Sequence, residues 1–115
     1  MSDPLHQPLM IPRRLAILIL HVAQIAQPRS IRGIVTARSG EPAGFREEGD
    51  MLHRDEVPWA RMWSYPQAAA VPVAAELDAS LPNLVVSLNT KGVLEMRAWR
   101  LVEDQAREQV LKIRD

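Results

Sequence analysis

The sequence predicts a mainly α-helical single domain with a short β wing. Three observations carry that expectation. Leu15 to Ala26 is an apolar run interrupted only by His21 and Gln24 and flanked by Pro12 and Pro28. Leu81, Leu84, Val85 and Leu88 recur at spacings of three and four and stop before Gly92, the pattern of a helix face closed by a C-terminal glycine. Val93 to Val102 reads as one or two short strands holding Trp99, followed by a terminal helix over 103–114 with Ala106, Val110 and Ile113 on one side.

The elements follow in order. Residues 1–12 hold Pro4, Pro8 and Pro12 and little pattern, so they read as a flexible arm ahead of a single domain at 13–115. Pro12 sits where a helix can begin, because the first turn has no use for its missing N–H. The helix then runs from Arg13 to Gln27 and is apolar almost all round, which signals burial on most faces. Ile17 to Leu20 would also suit a buried strand; the length of the run favours helix. Pro28 ends it. Ser30 can cap a short second helix through about Arg38, with Ile31, Ile34 and Val35 on one face. Residues 40–58 carry Gly40, Gly44, Gly49, Pro42 and Pro58 around the acids Glu47, Glu48 and Asp50. They read as an acidic loop with one turn of helix near Met51 to Arg54. Trp59 and Trp63, four apart, would share a helical face beside Tyr65. That cluster suits a satellite core under the loop, or an exposed contact surface for a partner.

Composition limits the rest. The chain has 115 residues, 14 basic and 14 acidic side chains, three histidines and no cysteine. It is long enough for one core and too short for two. Without cysteine there is no disulfide, thiolate metal site or thiol nucleophile, which suits a reducing, cytoplasmic setting. The apolar run near the N-terminus falls well short of the roughly 20 residues that span a bilayer. Net charge is zero but uneven: residues 1–40 hold five Arg against one Asp, and residues 41–60 hold six acids against two Arg. A cationic tail for non-specific nucleic-acid binding is excluded, whereas a small basic face is not.

Val73-Ala74-Ala75-Glu76-Leu77-Asp78-Ala79-Ser80 reads as a short helix, a tight corner and a Ser cap. Leu81 to Glu95 continues as a second helix running into a wing, with Leu88, Lys91-Gly92-Val93-Leu94 at its end. Arg97 to Val102 then leads into Glu103-Asp104-Gln105-Ala106-Arg107. Together these stretches resemble the winged helix-turn-helix of MarR- and PadR-type transcriptional regulators and of small phage winged-helix proteins. The resemblance spans about Val71 to Arg114. It departs from the family where Gly92 arrives a turn early, the wing is minimal and the corner lacks glycine.

The resemblance implies a sequence-specific, double-stranded-DNA-binding transcriptional regulator. Asn83, Val86, Ser87 and Thr90 would face base edges, where Asn can read adenine, Ser and Thr are tolerant and Val can meet a thymine methyl. Lys91, Arg97 and Arg100 would touch phosphates. So few cations per subunit imply a homodimer reading two half-sites. The apolar first helix points the same way, pairing through the first and last helices. The alternative is a non-enzymatic protein–protein interaction module, a small inhibitor or assembly adaptor, which zero net charge, the acidic loop and the tryptophan pair favour.

Enzyme chemistry finds little support. His6, His21 and His53 have no partner at metal-ligand spacing, and no Gly-rich phosphate loop or nucleophile elbow occurs. Glu47, Glu48 and Asp50 would need burial to act as acid or base, and a glycine-flanked loop argues against it. The sequence is therefore read as a non-enzyme without cofactor or metal.

Overall fold

The computed structural model describes residues 7–90 and 93–115. It holds one α-helix, α1 (Arg13–Ala26), and eight strands: β1 (Leu9–Pro12), β2 (Arg32–Arg38), β3 (Glu41–Glu47), β4 (Val57–Tyr65), β5 (Asn83–Thr90), β6 (Val93–Val102), β7 (Gln105–Gln109) and β8 (Leu111–Arg114). The architecture is mainly β. It overturns the expected mainly α, winged helix-turn-helix domain.

Six strands form one sheet in the order β3-β2-β4-β5-β6-β7. β4 and β5 are parallel and every other neighbour is antiparallel. β1 and β8 form a separate parallel pair. Part of the expected arm is thus a strand: Leu9 and Ile11 alternate inward and are buried, and β8 supplies their backbone partners.

α1 spans almost the range its flanking prolines predict. It buries Leu15, Ala16, Ile19 and Ala23 but leaves Ile17, Leu18 and Ile25 exposed, so it covers the sheet with one stripe rather than most faces. That stripe packs on Val35, Ala60, Met62, Leu84, Val86 and Ala98. The opposite face of the sheet carries Trp63, Val85 and Trp99, covered by Ala70 and Leu77 of the connection from β4 to β5.

β5 explains the largest correction. Parallel strands joined by a crossover are buried on both faces and read as continuous apolar runs. Leu84 and Val86 face α1 while Val85 faces the crossover. The run Leu81 to Leu88 imitates helical spacing only because both faces of a strand are apolar. Of the expected first helix of the motif, one 3-10 turn at Ala74–Glu76 remains.

The other expected helices fail for local reasons. Residues 32–38 and 41–47 form a hairpin whose turn residues, Ser39 and Gly40, both have positive φ, the geometry that matches strand twist. In a strand Ile34 and Val35 face opposite sides, and only Val35 enters the core. The terminal helix is replaced by β7 and β8, and β6 turns into β7 through Glu103 and Asp104, also at positive φ.

Candidate functional site

Among the described residues, the expected DNA-contacting side chains do not form an exposed face. Asn83, Val86 and Ser87 are buried on β5. Asn83 is a hub for the loop before it. Its Oδ1 accepts from Asp78 N (2.9 Å), and its Nδ2 donates to the carbonyls of Asp78 (3.2 Å), Leu81 (3.0 Å) and Trp99 (3.3 Å). Val86 is core. Ser87 Oγ donates to Ala68 O at 2.6 Å. Thr90 ends β5, and its side chain lies outside the described residues, as does Lys91.

Arg97 and Arg100 sit three apart on β6, so they project to opposite faces. Arg97 donates to both carboxylate oxygens of Glu108 (2.8 and 2.5 Å) and lies 5.1 Å from the Trp99 ring centroid. The bond to Glu108 raises its pKa. Arg100 Nε donates to Gln109 Oε1 at 3.2 Å, and burial lowers its pKa.

A concavity lies elsewhere, on the sheet face away from α1. Its floor is built by β2 and β4, where Arg32 pairs opposite Trp63 and Ile34 opposite Arg61. Residues two apart on a strand and directly opposite across it share one face, so Arg32, Arg61 and Trp63 rise together. One wall is the loop after β3, with Glu48. The other is the 3-10 turn and its continuation through Asp78. The cavity holds about 560 Å³. A second, of about 160 Å³, adjoins it under the loop and shares Arg32, Gly33, Glu48 and Arg61.

Gly33 makes the floor possible. A Cβ there would lie 2.3 Å from Arg46 O and 2.6 Å from the Phe45 ring, so β2 and β3 approach more closely than any side chain permits.

Both walls are fixed by charge-assisted hydrogen bonds. Glu56 is buried at the foot of the loop. It accepts from His53 N (2.7 Å), Thr36 Oγ1 (2.8 Å) and Arg46 Nε (3.1 Å). The backbone donor of His53 leads in holding its pKa at about 2, against the cost of burial. Across the groove, Asp78 accepts from Ser80, Leu81 and Arg61. Those donors, the Ser80 hydroxyl first, lower its pKa. Tyr65 donates to Glu76 Oε1 at 2.5 Å. Burial and then Glu76 raise the Tyr65 pKa, so the phenol keeps its proton.

Two donors near the groove have no protein hydrogen-bond partner among the described residues, the exposed Arg32 guanidinium and the buried Trp63 N–H. Among the described residues, the Arg32 guanidinium makes no hydrogen bond or ion pair, yet its charge acts on the Tyr65 hydroxyl. The Trp63 N–H also eases ionisation of Tyr65, as a donor near that oxygen would. The pair nevertheless lacks hydrogen-bond geometry, and the buried indole N–H has no partner.

Sequence reasoning singled out Trp63 and Tyr65 as neighbours but assigned them a helix. It gave Arg32 no role of its own beyond being one of the five Arg of residues 1–40. The signal that finds Arg32 is its register opposite Trp63, which no single-sequence pattern supplies.

Among the described residues, no group of three or more His, Cys, Asp or Glu side chains is placed to hold a metal ion. His21 lies on the exposed side of α1 and His53 in the exposed part of the loop; His6 is outside the described residues. Glu47, Glu48 and Asp50 are exposed. No described helix is long and apolar enough to cross a membrane.

No protein-family model matches the sequence, and neither does any curated protein. Solved structures do. A protein from Desulfitobacterium hafniense is 18% identical with a TM-score of 0.69, covering 93% of each chain. A JAB1/MPN domain protein from Archaeoglobus fulgidus is 15% identical with a TM-score of 0.68, over 95% of this chain and 100% of that one. A Salinibacter ruber protein is 13% identical with a TM-score of 0.63, over 93% and 92%. At these identities the likeness is one of fold: the chain has a β-rich, JAB1/MPN-like fold, and the winged-helix resemblance does not describe it.

Proposed function

We propose that the chain is a non-catalytic binding domain that seats an extended segment of a partner protein in the groove between the 48–56 loop and the 74–78 turn. The carrying observation is that the groove is prebuilt yet left open. Glu56 anchors one wall; Asn83, Arg61 and Tyr65 anchor the other. A site whose walls are already ordered loses little entropy on binding.

The groove supplies recognition chemistry rather than reaction chemistry. It holds no histidine or cysteine, and Tyr65 is a protonated phenol bound to a carboxylate. The two expected roles, regulator and interaction module, now differ in support. Three of the four base-reading residues of the first, Asn83, Val86 and Ser87, are buried in the sheet, whereas the second needs only an accessible, fixed surface.

Peptide display against the folded chain tests the proposal, with selected peptides titrated by tryptophan fluorescence. Ala75 is exposed on the groove wall, so Ala75→Trp fills the groove without touching the core. Binding should be lost in that variant. Selection of no peptide, or binding that survives Ala75→Trp, would overturn the proposal.

A further inference from the structure

We infer that the exposed face of α1 docks an acidic, amphipathic helix of a partner protein, on the side of the molecule away from the groove and independently of it. α1 buries one stripe and leaves another bare: Ile17, Leu18 and Ile25 are 59%, 43% and 68% exposed. Along the bare side Arg14, Leu18, His21 and Ile25 recur at spacings of four, three and four, with Ile17 and Gln24 beside them. A period of about 3.5 residues is the seam on which a second helix packs. The stripe runs into a pocket. Leu18 also lines a cavity of about 400 Å³ between the first turn of α1, Pro42 and Ala43 of β3 and the end of β8. That cavity can take one apolar anchor of the docked helix.

Charge decides which helix fits. From Leu9 to Gly40 the sequence holds five Arg and no Asp or Glu. Of the cations lining the cavity, Arg13 is paired with Asp115 and Arg114 with Glu41. Arg14 makes no hydrogen bond or ion pair among the described residues. Arg29 is exposed just past the other end of α1. A second copy of the chain would bring Arg14 onto Arg14 in a parallel pair, or toward Arg29 in an antiparallel one, and like charges in contact oppose pairing. A lipid surface would bury His21 and Gln24 at mid-stripe without partners. A helix with apolar residues along its centre and carboxylates beside them satisfies both the stripe and its cations.

The test is selection on the folded chain from a library that displays one helix on a stable scaffold, randomised along the outward face of that helix. Enriched helices should combine an apolar stripe with an excess of Asp and Glu over Lys and Arg. The best of them, titrated by fluorescence anisotropy, should bind Ala75→Trp as well as the parent and should lose binding to Ile17→Glu and to Ile25→Glu, both changes at exposed positions. Arg14→Glu should weaken it about fivefold, and replacing its acids by Lys should reverse the preference between Arg14→Glu and the parent. No enriched helix, enrichment without the acidic excess, or binding indifferent to Arg14→Glu would overturn the inference. So would binding that survives Ile17→Glu and Ile25→Glu, or that is lost in Ala75→Trp, which would move the helix to the groove. Cosedimentation of the parent with phosphatidylserine vesicles, abolished by Ile17→Glu, would give the face to lipid instead. A parent dimer that Ile25→Glu dissociates would give it to a second copy. Either result would also overturn the inference.

Discussion

The Tyr65 hydroxyl donates a 2.5 Å hydrogen bond to Glu76 Oε1, and the same oxygen accepts from Val73 N at 3.3 Å. The end of β4 is thereby tied to the turn that walls the groove. Tyr65→Phe keeps the ring and removes the tie. Because the bond is exposed, global stability should fall by no more than about 1 kcal/mol. Local opening is the sharper readout. The amides of Glu76 and Leu77 bond within the turn, to Val73 O and Ala74 O, and should exchange faster in the variant while β5 amides do not. Unchanged exchange at 76 and 77 would show that the turn holds itself.

Glu56 gives the fold a defined acid sensitivity. Its pKa is lowered from 4.5 to about 2 in the folded chain. A lowered carboxylate pKa stabilises above the unfolded value, and that contribution drains away as pH falls toward the folded one. The window is therefore about pH 4.5 down to about 2. Asp78, Glu108 and Asp115 are shifted in the same direction, so the wild type alone does not isolate Glu56. Glu56→Gln does: it should be less stable than the parent at neutral pH, and the gap should close as the pH falls through that window. Urea denaturation at a series of pH values measures it. A gap independent of pH would show that the charge of Glu56 contributes nothing.

How much of this was legible depends on whether a pattern is local. α1 is legible because Pro12 and Pro28 mark its ends within a residue or two. The Ser39-Gly40 turn was legible in principle, since Ser-Gly after the β-branched run Ile34-Val35-Thr36 marks a turn, but Ile31, Ile34 and Val35 also fit a helix. Glu103-Asp104 gives no such warning, as neither residue favours positive φ as glycine does. β5 was misread because its long-range partners are invisible: spacing cannot separate a two-faced strand from a helix. Trp59 and Trp63 show the same limit. The ladder slips between Val35 and Thr36, leaving Trp59 unpaired between Pro58 and Ala60. Trp59 consequently packs toward the α1 core and Trp63 toward the crossover. The acids at 47, 48 and 50 are exposed as their glycines suggest, but burial of Glu56 needed Thr36 and Arg46 from strands the sequence did not announce.

Asn83 should be the most sensitive polar position outside the core. Its amide satisfies both ends of the Asp78–Pro82 loop and reaches across to Trp99 O. Asn83→Ala leaves Asp78 N and three carbonyls short of a partner in a partly buried place. The expected loss is about 2–4 kcal/mol. Asn83→Asp is the more pointed variant. It keeps the acceptor for Asp78 N but replaces the donor by a second oxygen facing three carbonyls, beside the Asp78 carboxylate. It should be at least as destabilised as Asn83→Ala at neutral pH and should recover in acid, as protonation restores a donor. A stability equal to the parent's at neutral pH would sink the hub role.

The two sides of α1 should respond oppositely to substitution. Ile19 is fully buried against the sheet, whereas Ile17 and Ile25 are 59% and 68% exposed. Ile19→Ala should cost about 2–5 kcal/mol through lost burial and a residual cavity. Ile25→Ala should stay within about 0.5 kcal/mol. This contrast follows from a helix buried along one stripe, and it removes the reason to require a partner on every other side. The expected pairing through first and last helices also loses its second helix to β7 and β8. What stays testable is the exposed stripe. Sedimentation velocity of the parent and of Ile25→Glu should give the same monomer coefficient if α1 faces water. A parent dimer that Ile25→Glu dissociates would instead place a second copy on that stripe, leaving the groove on the opposite face of the sheet open in both protomers.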